Sequence, residues 1–179
     1  KSNSTINKKL LSLQLFVKYL RENLGRTYPE TIKFKLLKQA QTEHYIYKDE
    51  QIDQIRTHFK DRGELLMADL IYMLRYTGMR LSEVLTLKQN NVTEDYIHLY
   101  KTKSGKSRAI PISDKIRDLL KNVERFGNLG SASRVSKKFN RQKNALGLTD
   151  TANLHAFRHT FAQTLVDTGT PIEVVSKLL

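Results

Sequence analysis

Cysteine is absent from the 179-residue sequence, which excludes disulfide bonds, thiolate nucleophiles and zinc sites built on cysteine ligands. No apolar run approaches the roughly 20 residues that cross a bilayer, and the first residues lack the apolar stretch of a signal peptide. We therefore expect a soluble, cytoplasmic protein. The clustered carboxylates that metal-dependent nucleases need are not visible either, which argues against that class of enzyme.

Acidic residues are scarce relative to basic ones: 18 Asp and Glu against 31 Lys and Arg give a net charge of +13. Such a surface attracts polyanions, so nucleic acid is the first partner to consider, although charge alone does not separate DNA, RNA and anionic lipid. Between Lys101 and Lys143 there are 13 basic and three acidic residues. Four basic residues there share one helical face, which either lies along phosphates or is simply solvated. They are Arg134, Lys137, Lys138 and Arg141.

The chain divides into two predicted domains. Apolar residues at steps of three and four predict a helix over residues 6–24, and a polar, basic connector follows it. Residues 1–43 cannot enclose a core alone, so we expect them to be the end of a preceding helical domain plus a connector. Residues 44–179 form the second predicted domain.

The second domain is predicted to be mainly α with a small antiparallel β-sheet. Residues 96–100 and 109–112 alternate apolar and polar side chains on either side of a Ser-Gly turn, which predicts a hairpin. The predicted helices lie at residues 52–59, 65–76, 81–87, 114–124, 133–146, 154–166 and 170–179.

Three short motifs occur in this second domain: TGMRLSE at 77–83, KTKSGKSR at 101–108 and HAFRH at 155–159. Each motif alone is weak, but the ordered set resembles the tyrosine recombinases of the phage-integrase family. The resemblance covers residues 44–179, and residues 1–43 look like the end of that family's core-binding domain. It implies the family's catalytic-domain fold and DNA recombination or integration, as in phages and other mobile genetic elements.

Two arginines are the predicted phosphate clamp. Transfer of a DNA phosphodiester builds negative charge on two non-bridging oxygens, which two guanidiniums can hold with forked hydrogen bonds. Arg80 and Arg158 are each embedded in apolar sequence, where an unpaired charge is costly. Alternatively each pairs internally, and Glu83 is the obvious partner for Arg80. In the family an acid at this place steadies the arginine, so both interpretations can hold.

A lysine in the hairpin turn is the predicted general acid. By resemblance, Lys103 protonates the departing 5′ oxygen, which suits a lysine whose pKa is lowered by desolvation and nearby cations. A phosphate contact is the alternative role. Lys101, Lys106 and Arg108 are expected to bind DNA beside it.

Two histidines complete the predicted site. By resemblance, His155 exchanges protons at the reacting oxygens, while His159 forms hydrogen bonds within the scaffold. Their spacing also matches zinc ligands, but Ala156 replaces the glutamate of the His-Glu-x-x-His motif and Arg158 would lie beside the ion. We therefore expect no metal, and the resemblance implies that no cofactor is needed.

The sequence offers no candidate for the family's tyrosine nucleophile. All eight tyrosines precede Arg158, whereas the family carries its nucleophile after a helix like residues 170–179 and a Gly-His step. We expect this chain to be a fragment that binds double-stranded DNA, as a monomer, without forming a 3′-phosphotyrosyl bond. Full-length members act as homotetramers on two DNA sites. A non-catalytic DNA-binding module derived from a recombinase is the alternative function.

Overall fold

A computed structural model of the protein describes residues 2–25, 34–38, 44–100 and 107–179. The chain forms two compact units, Lys1–Glu43 and His44–Leu179. The second unit is mainly helical and contains a two-stranded antiparallel sheet, which confirms the predicted fold class. Among the described residues, no helix combines the length and apolar character needed to cross a bilayer.

The first unit contains one long helix, α1 (Asn3–Leu24). It begins after Ser2, whose hydroxyl oxygen accepts a backbone N–H of the first turn, and ends at Gly25 in the left-handed conformation. The buried side chain of Asn7 fixes the segment at residues 34–38 to this helix, because its amide both donates to the carbonyl and accepts from the N–H of Leu37, each at 2.8 Å.

The second unit contains six α-helices and two strands among its described residues. In chain order they are α2 (Asp49–Asp61), α3 (Leu65–Thr77), α4 (Leu81–Leu85), β1 (Tyr96–Leu99), β2 (Arg108–Pro111), α5 (Ala132–Gln142), α6 (Ala156–Asp167) and α7 (Ile172–Leu178).

Helix α3 lies at the centre of the core because its sequence is apolar on almost every side. It packs against α2 and α6, and Leu70, Ile71 and Leu74 are buried. The helix ends at Gly78, which adopts a left-handed conformation with φ +61°. Helix α4 begins directly after Arg80, so this turn holds the first predicted catalytic arginine at a helix N-terminus.

The two predicted strands pair with each other, with strand ends displaced by one residue, and the predicted Ser-Gly turn between them lies outside the described residues. Ile97 pairs with Ile110 and Leu99 pairs with Arg108 in antiparallel register. Both isoleucines are buried, because directly opposite residues share one face of a sheet and this face covers the core.

The α-helix expected at residues 114–124 is instead a run of 3₁₀ turns, Arg117–Leu129, with a break at Asn122. The side chain of Gln89 explains the difference. It donates to the carbonyl of Leu120 at 3.0 Å and accepts from the N–H of Val123 at 3.4 Å. A distant side chain thus satisfies backbone groups that an uninterrupted helix would pair internally.

Candidate active site

Arg80 and Glu83 form the ion pair that their spacing suggested. The Glu83 carboxylate accepts a hydrogen bond from the Arg80 backbone N–H at 2.8 Å and another from Arg80 Nη1 at 2.9 Å. Glu83 lies in the first turn of α4, where a carboxylate is favoured by the unpaired N–H groups of a helix N-terminus. The Arg80 side chain keeps 30% of its surface exposed, so it remains accessible to a ligand.

Arg108 binds the same carboxylate with a fork. Its Nη1 donates to Glu83 Oε1 at 3.2 Å and its Nη2 donates to Oε2 at 2.6 Å. Burial alone would raise the pKa of Glu83, but the hydrogen bonds from Arg108 and Arg80 outweigh burial and hold that pKa below its ordinary value. Glu83 is therefore ionised at neutral pH, and the structure places Arg108 inside the protein, on Glu83.

Arg158 projects from α6 and is buried, with 9% of its surface exposed. Its Nη1 donates to the carbonyl oxygen of Gly78 at 2.7 Å, and its Nη2 donates to the carbonyl oxygen of Leu179. Burial, followed by repulsion from Arg80 and Arg108, lowers the pKa of Arg158 to about 10. The guanidinium therefore stays charged at neutral pH, close enough to the other two cations to be repelled by them.

The two predicted clamp arginines line one cavity of about 760 Å³. Arg80 enters it from the start of α4 and Arg158 from the first turns of α6, while α7 contributes an apolar wall. His44 and His159 lie in the same lining. The sequence predicted that the two arginines converge, and the structure brings them together.

Three imidazoles lie close together beside the arginines. The His155 and His159 rings are 4.9 Å apart between centroids and nearly perpendicular, and the His159 ring stacks on His44 at 3.9 Å. The pKa of His155 is lowered mainly by burial, and then by electrostatic interaction with Arg158, Arg80 and His44 in that order. Burial, His44, His155 and Arg158 lower the pKa of His159 in the same way. Both imidazoles are therefore neutral at neutral pH.

His44 and Gly78 were not among the predicted site residues. Gly78 lies inside the TGMRLSE motif, so a role for its backbone could have been suspected from its position two residues before Arg80. His44 lies at the predicted domain boundary and belongs to none of the three motifs. Only the fold brings it onto His159.

The basic face of α5 is largely exposed. Val135 and Phe139 point into the core, so Arg134, Lys137 and Arg141 face solvent on the opposite side. The fourth predicted member, Lys138, pairs with Glu64 at 3.0 Å across to the start of α3.

Three predicted residues lie outside the described residues, namely Lys101, Lys103 and Lys106. Their assigned roles remain predictions. Within the four described ranges, no group of three or more His, Asp or Glu is arranged to hold a metal ion.

Comparison with known proteins identifies the family. The phage integrase family profile matches residues 45–179. Because this match covers most of the sequence, the chain belongs to the phage integrase family, as the three motifs predicted. Site-specific recombination is accordingly its function class.

Relatives of known sequence and structure agree with this assignment. A tyrosine recombinase of Thermosipho africanus is 26% identical over 98% of this chain and 67% of its own length. Tyrosine recombinase XerC of Lactobacillus delbrueckii subsp. bulgaricus is 26% identical over 99% of this chain and 68% of its own length. The chain thus spans about two thirds of these relatives.

Solved structures share the fold. The Tn1549 transposon integrase in complex with transposon right-end DNA aligns with a TM-score of 0.74 and 18% identity, over 99% of this chain and 71% of that one. A lambda integrase dimer bound to a COC′ core site aligns with a TM-score of 0.72 and 15% identity, over the same shares of both chains. At these identities the likeness shows the fold alone.

Proposed function

We propose that Arg80 and Arg158 clamp the scissile phosphate of double-stranded DNA during recombination through a 3′-phosphotyrosyl intermediate. The observation that carries this proposal is that both guanidiniums line one cavity from different helices. Each is held by a separate anchor, Glu83 for Arg80 and the Gly78 carbonyl for Arg158. Two anchored cations suit a transition state whose added charge lies on two non-bridging oxygens.

The proposed step exchanges one phosphoester bond for another. A tyrosine oxygen attacks phosphorus, the bond between phosphorus and the 5′ oxygen breaks, and the 3′ side of the strand becomes joined to the enzyme. Because bond energy is conserved, a second attack by a 5′ hydroxyl reverses the exchange and rejoins the strands. Both arginines remain charged throughout, so they stabilise charge and do not transfer protons.

Proton transfer is assigned to His155 and Lys103. His155 is proposed to take a proton from the attacking hydroxyl and return it in the reverse step, because burial and the charges of Arg158 and Arg80 keep it neutral. Its ring contacts His159, which lines the cavity of the two arginines, while His155 itself lines a neighbouring pocket. Lys103 is proposed to protonate the departing 5′ oxygen. His159 is proposed as a supporting residue, because its ring packs between His44 and His155.

No tyrosine of this chain is assigned as the nucleophile. Tyr47 begins the second unit's core, where its hydroxyl donates to the carbonyl of Asn153 and its ring stacks on Phe157 at 4.2 Å. Burial raises the pKa of Tyr47, which opposes formation of the phenolate. We propose that this chain alone binds DNA without forming the covalent bond.

DNA is the proposed partner on the basis of charge and relatives. The exposed basic face of α5 supplies cations for phosphates, and solved relatives include a lambda integrase tetramer bound to a Holliday junction. A homotetramer on two DNA sites is the proposed assembly of the full-length protein. Residues 1–43 are proposed to be the end of a core-binding domain, and the cytoplasm is the proposed location because DNA is the substrate.

The experiment uses the extended protein, meaning the whole product of the gene that encodes this chain. A nicked DNA substrate that releases a short 5′ product should trap a covalent protein–DNA adduct in the presence of EDTA. Arg158→Ala should lower adduct formation by about 10²–10³-fold, whereas Arg117→Ala, a charge-matched change at an exposed pair with Asp114, should not.

Two results would contradict the proposal. A reading frame with no tyrosine after a Gly-His step would make the chain a non-catalytic DNA-binding module. If the Arg158→Ala variant trapped as much covalent adduct as the unchanged protein, Arg158 would not be part of a phosphate clamp.

A further inference from the structure

We infer that Arg108 is a positioning residue, whose guanidinium holds the Glu83 carboxylate so that Glu83 in turn fixes the Arg80 side chain. The inference rests on the proposed function of Arg80 in one respect only, namely the consequence for DNA cleavage. It replaces the expected role of Arg108 as a DNA contact.

The carboxylate of Glu83 is shared equally between the two arginines. Its Oε1 accepts from Nη1 of Arg80 and from Nη1 of Arg108, at 2.9 and 3.2 Å. Its Oε2 accepts from the backbone N–H of Arg80 and from Nη2 of Arg108, at 2.8 and 2.6 Å. Because each oxygen has one donor from each arginine, the carboxylate cannot rotate without breaking bonds to both.

Burial decreases from Arg108 outward to Arg80. The side chains of Arg108 and Glu83 are 7% and 13% exposed, whereas that of Arg80 is 30% exposed. Because the forked pair of Arg108 and Glu83 is largely shielded from solvent, it is much more rigid than a surface pair such as Arg117 with Asp114. The inner pair is therefore suited to hold the outer arginine, which alone of the three is open to a ligand.

Charge gives Arg108 a second effect on the site. Arg80 and Glu83 alone would form a neutral pair, and the bare carboxylate would repel a phosphate. Arg108 offsets the negative charge of Glu83, so the three groups together carry one net positive charge at Arg80. The cluster can therefore steady Arg80 without cancelling its attraction for the phosphate.

Arg108 reaches Glu83 from a fixed platform. It is the first residue of β2 and pairs with Leu99, and Ile110, two residues later on the same strand, is buried in the core. Glu83 lies 25 residues earlier, on α4. The fork thus joins the sheet to the helix that carries Arg80.

The first experiment is made on the 179-residue chain by NMR. Arg108→Gln should raise the pKa of the Glu83 carboxyl, because the Arg108 hydrogen bond is the largest contribution that lowers it. The same change should speed rotation of the Arg80 guanidinium, seen as line broadening of its Nη signals. Arg108→Lys, which keeps the charge but loses the fork, should give smaller shifts in the same directions, and it serves as the test if Arg108→Gln does not fold. Arg117→Gln is the charge-matched control and should change neither signal.

The second experiment separates positioning from DNA contact by the salt dependence of DNA binding. A phosphate contact contributes about 0.9 to the slope of log affinity against log salt. In a Glu83→Gln background, where no carboxylate charge is left for Arg108 to offset, Arg108→Gln should leave this slope unchanged, whereas Lys137→Gln, on the exposed basic face, should lower it by about that amount.

The third experiment measures single-turnover adduct formation by the extended protein. Arg108→Gln should lower the rate by about tenfold or more, but should lower it no further in a Glu83→Gln background. Independent, additive losses would overturn the inference.

Failure of the inference is distinguishable from failure of the proposed function. An unchanged Glu83 pKa together with a reduced salt slope would make Arg108 a DNA contact and would overturn the inference. An extended protein that forms no adduct would contradict the proposed function, while the NMR and salt measurements would still decide the role of Arg108.

Discussion

The carbonyl oxygen of Gly78 accepts a 2.7 Å hydrogen bond from Nη1 of Arg158, although the two residues lie 80 positions apart. Gly78 also ends α3 two residues before Arg80. One turn of backbone therefore sets the position of both proposed clamp arginines, one through its carbonyl and the other through its place at the start of α4.

Gly78→Ala should be unusually destabilising for a small substitution. A Cβ at this position would lie 2.3 Å from Cδ1 of Phe161, and the residue has φ +61°. Gly63→Ala is the matched control, because Gly63 has φ +71° and its added Cβ would meet nothing within 4 Å. Thermal or urea unfolding should show that Gly78→Ala costs about 1–3 kcal/mol more than Gly63→Ala.

A second change identifies the cause of that cost. Phe161→Leu should recover part of the stability lost in Gly78→Ala, because a smaller side chain can yield to the new methyl group. Equal costs for the two alanine substitutions would contradict the close approach of Phe161.

His155 should titrate below its ordinary pKa of 6.5, as followed by NMR of its ring protons. Arg158→Gln should raise the pKa of His155, because the Arg158 charge is the largest contribution after burial. Arg117→Gln, at an exposed ion pair, should leave it unchanged. If the pKa of His155 did not change in Arg158→Gln, the imidazole would not lie close enough to the Arg158 guanidinium to feel its charge.

Glu83 should make stability depend on pH in the acid range. Its pKa in the folded state lies below the ordinary value of 4.5, so its contribution is complete above pH 4.5 and is lost as pH falls through the folded pKa. Glu83→Gln should lower the free energy of unfolding by about 3 kcal/mol at neutral pH. Urea unfolding at decreasing pH should show this difference shrinking, and a constant difference would contradict the ionised cluster.

The basic face of α5 should account for part of the salt dependence of DNA binding. Arg134→Gln, Lys137→Gln and Arg141→Gln should each lower the slope of log affinity against log salt by about 0.9. Lys138→Gln should lower it less, because Lys138 already pairs with Glu64. Fluorescence anisotropy with labelled duplex DNA provides the measurement, and equal effects of all four changes would show that this ion pair does not persist on DNA.

Local sequence patterns predicted much of the fold. The apolar run at 65–76 forms the central helix α3, and the alternation at 96–100 forms β1. Both could be predicted because the spacing of apolar residues that are close in sequence indicates the type of element and its buried face. The 3₁₀ turns at Arg117–Leu129 could not be predicted in this way. They depend on Gln89, which lies in a different part of the chain.

The sequence predicted those parts of the candidate site that lie within the three motifs. The spacing of Arg80 and Glu83 indicated their pairing, and the structure contains it. Arg108 was predicted to bind DNA, although it lies two residues before the buried Ile110 on one strand and therefore shares its face. The alternation of side chains along the strand could have indicated that Arg108 faces the core. Its partner Glu83, on α4, could be identified only from the tertiary structure.

The clamp can be tested most directly by changing the charge of the scissile phosphate. A methylphosphonate replaces one non-bridging oxygen with a methyl group, so less negative charge develops in the transition state. For the extended protein, Arg80→Ala and Arg158→Ala should each lower the single-turnover cleavage rate by about 10²–10³-fold on ordinary phosphate, but by about tenfold or less on methylphosphonate. Equal losses on the two substrates would contradict the claim that these guanidiniums act by neutralising charge on the phosphate.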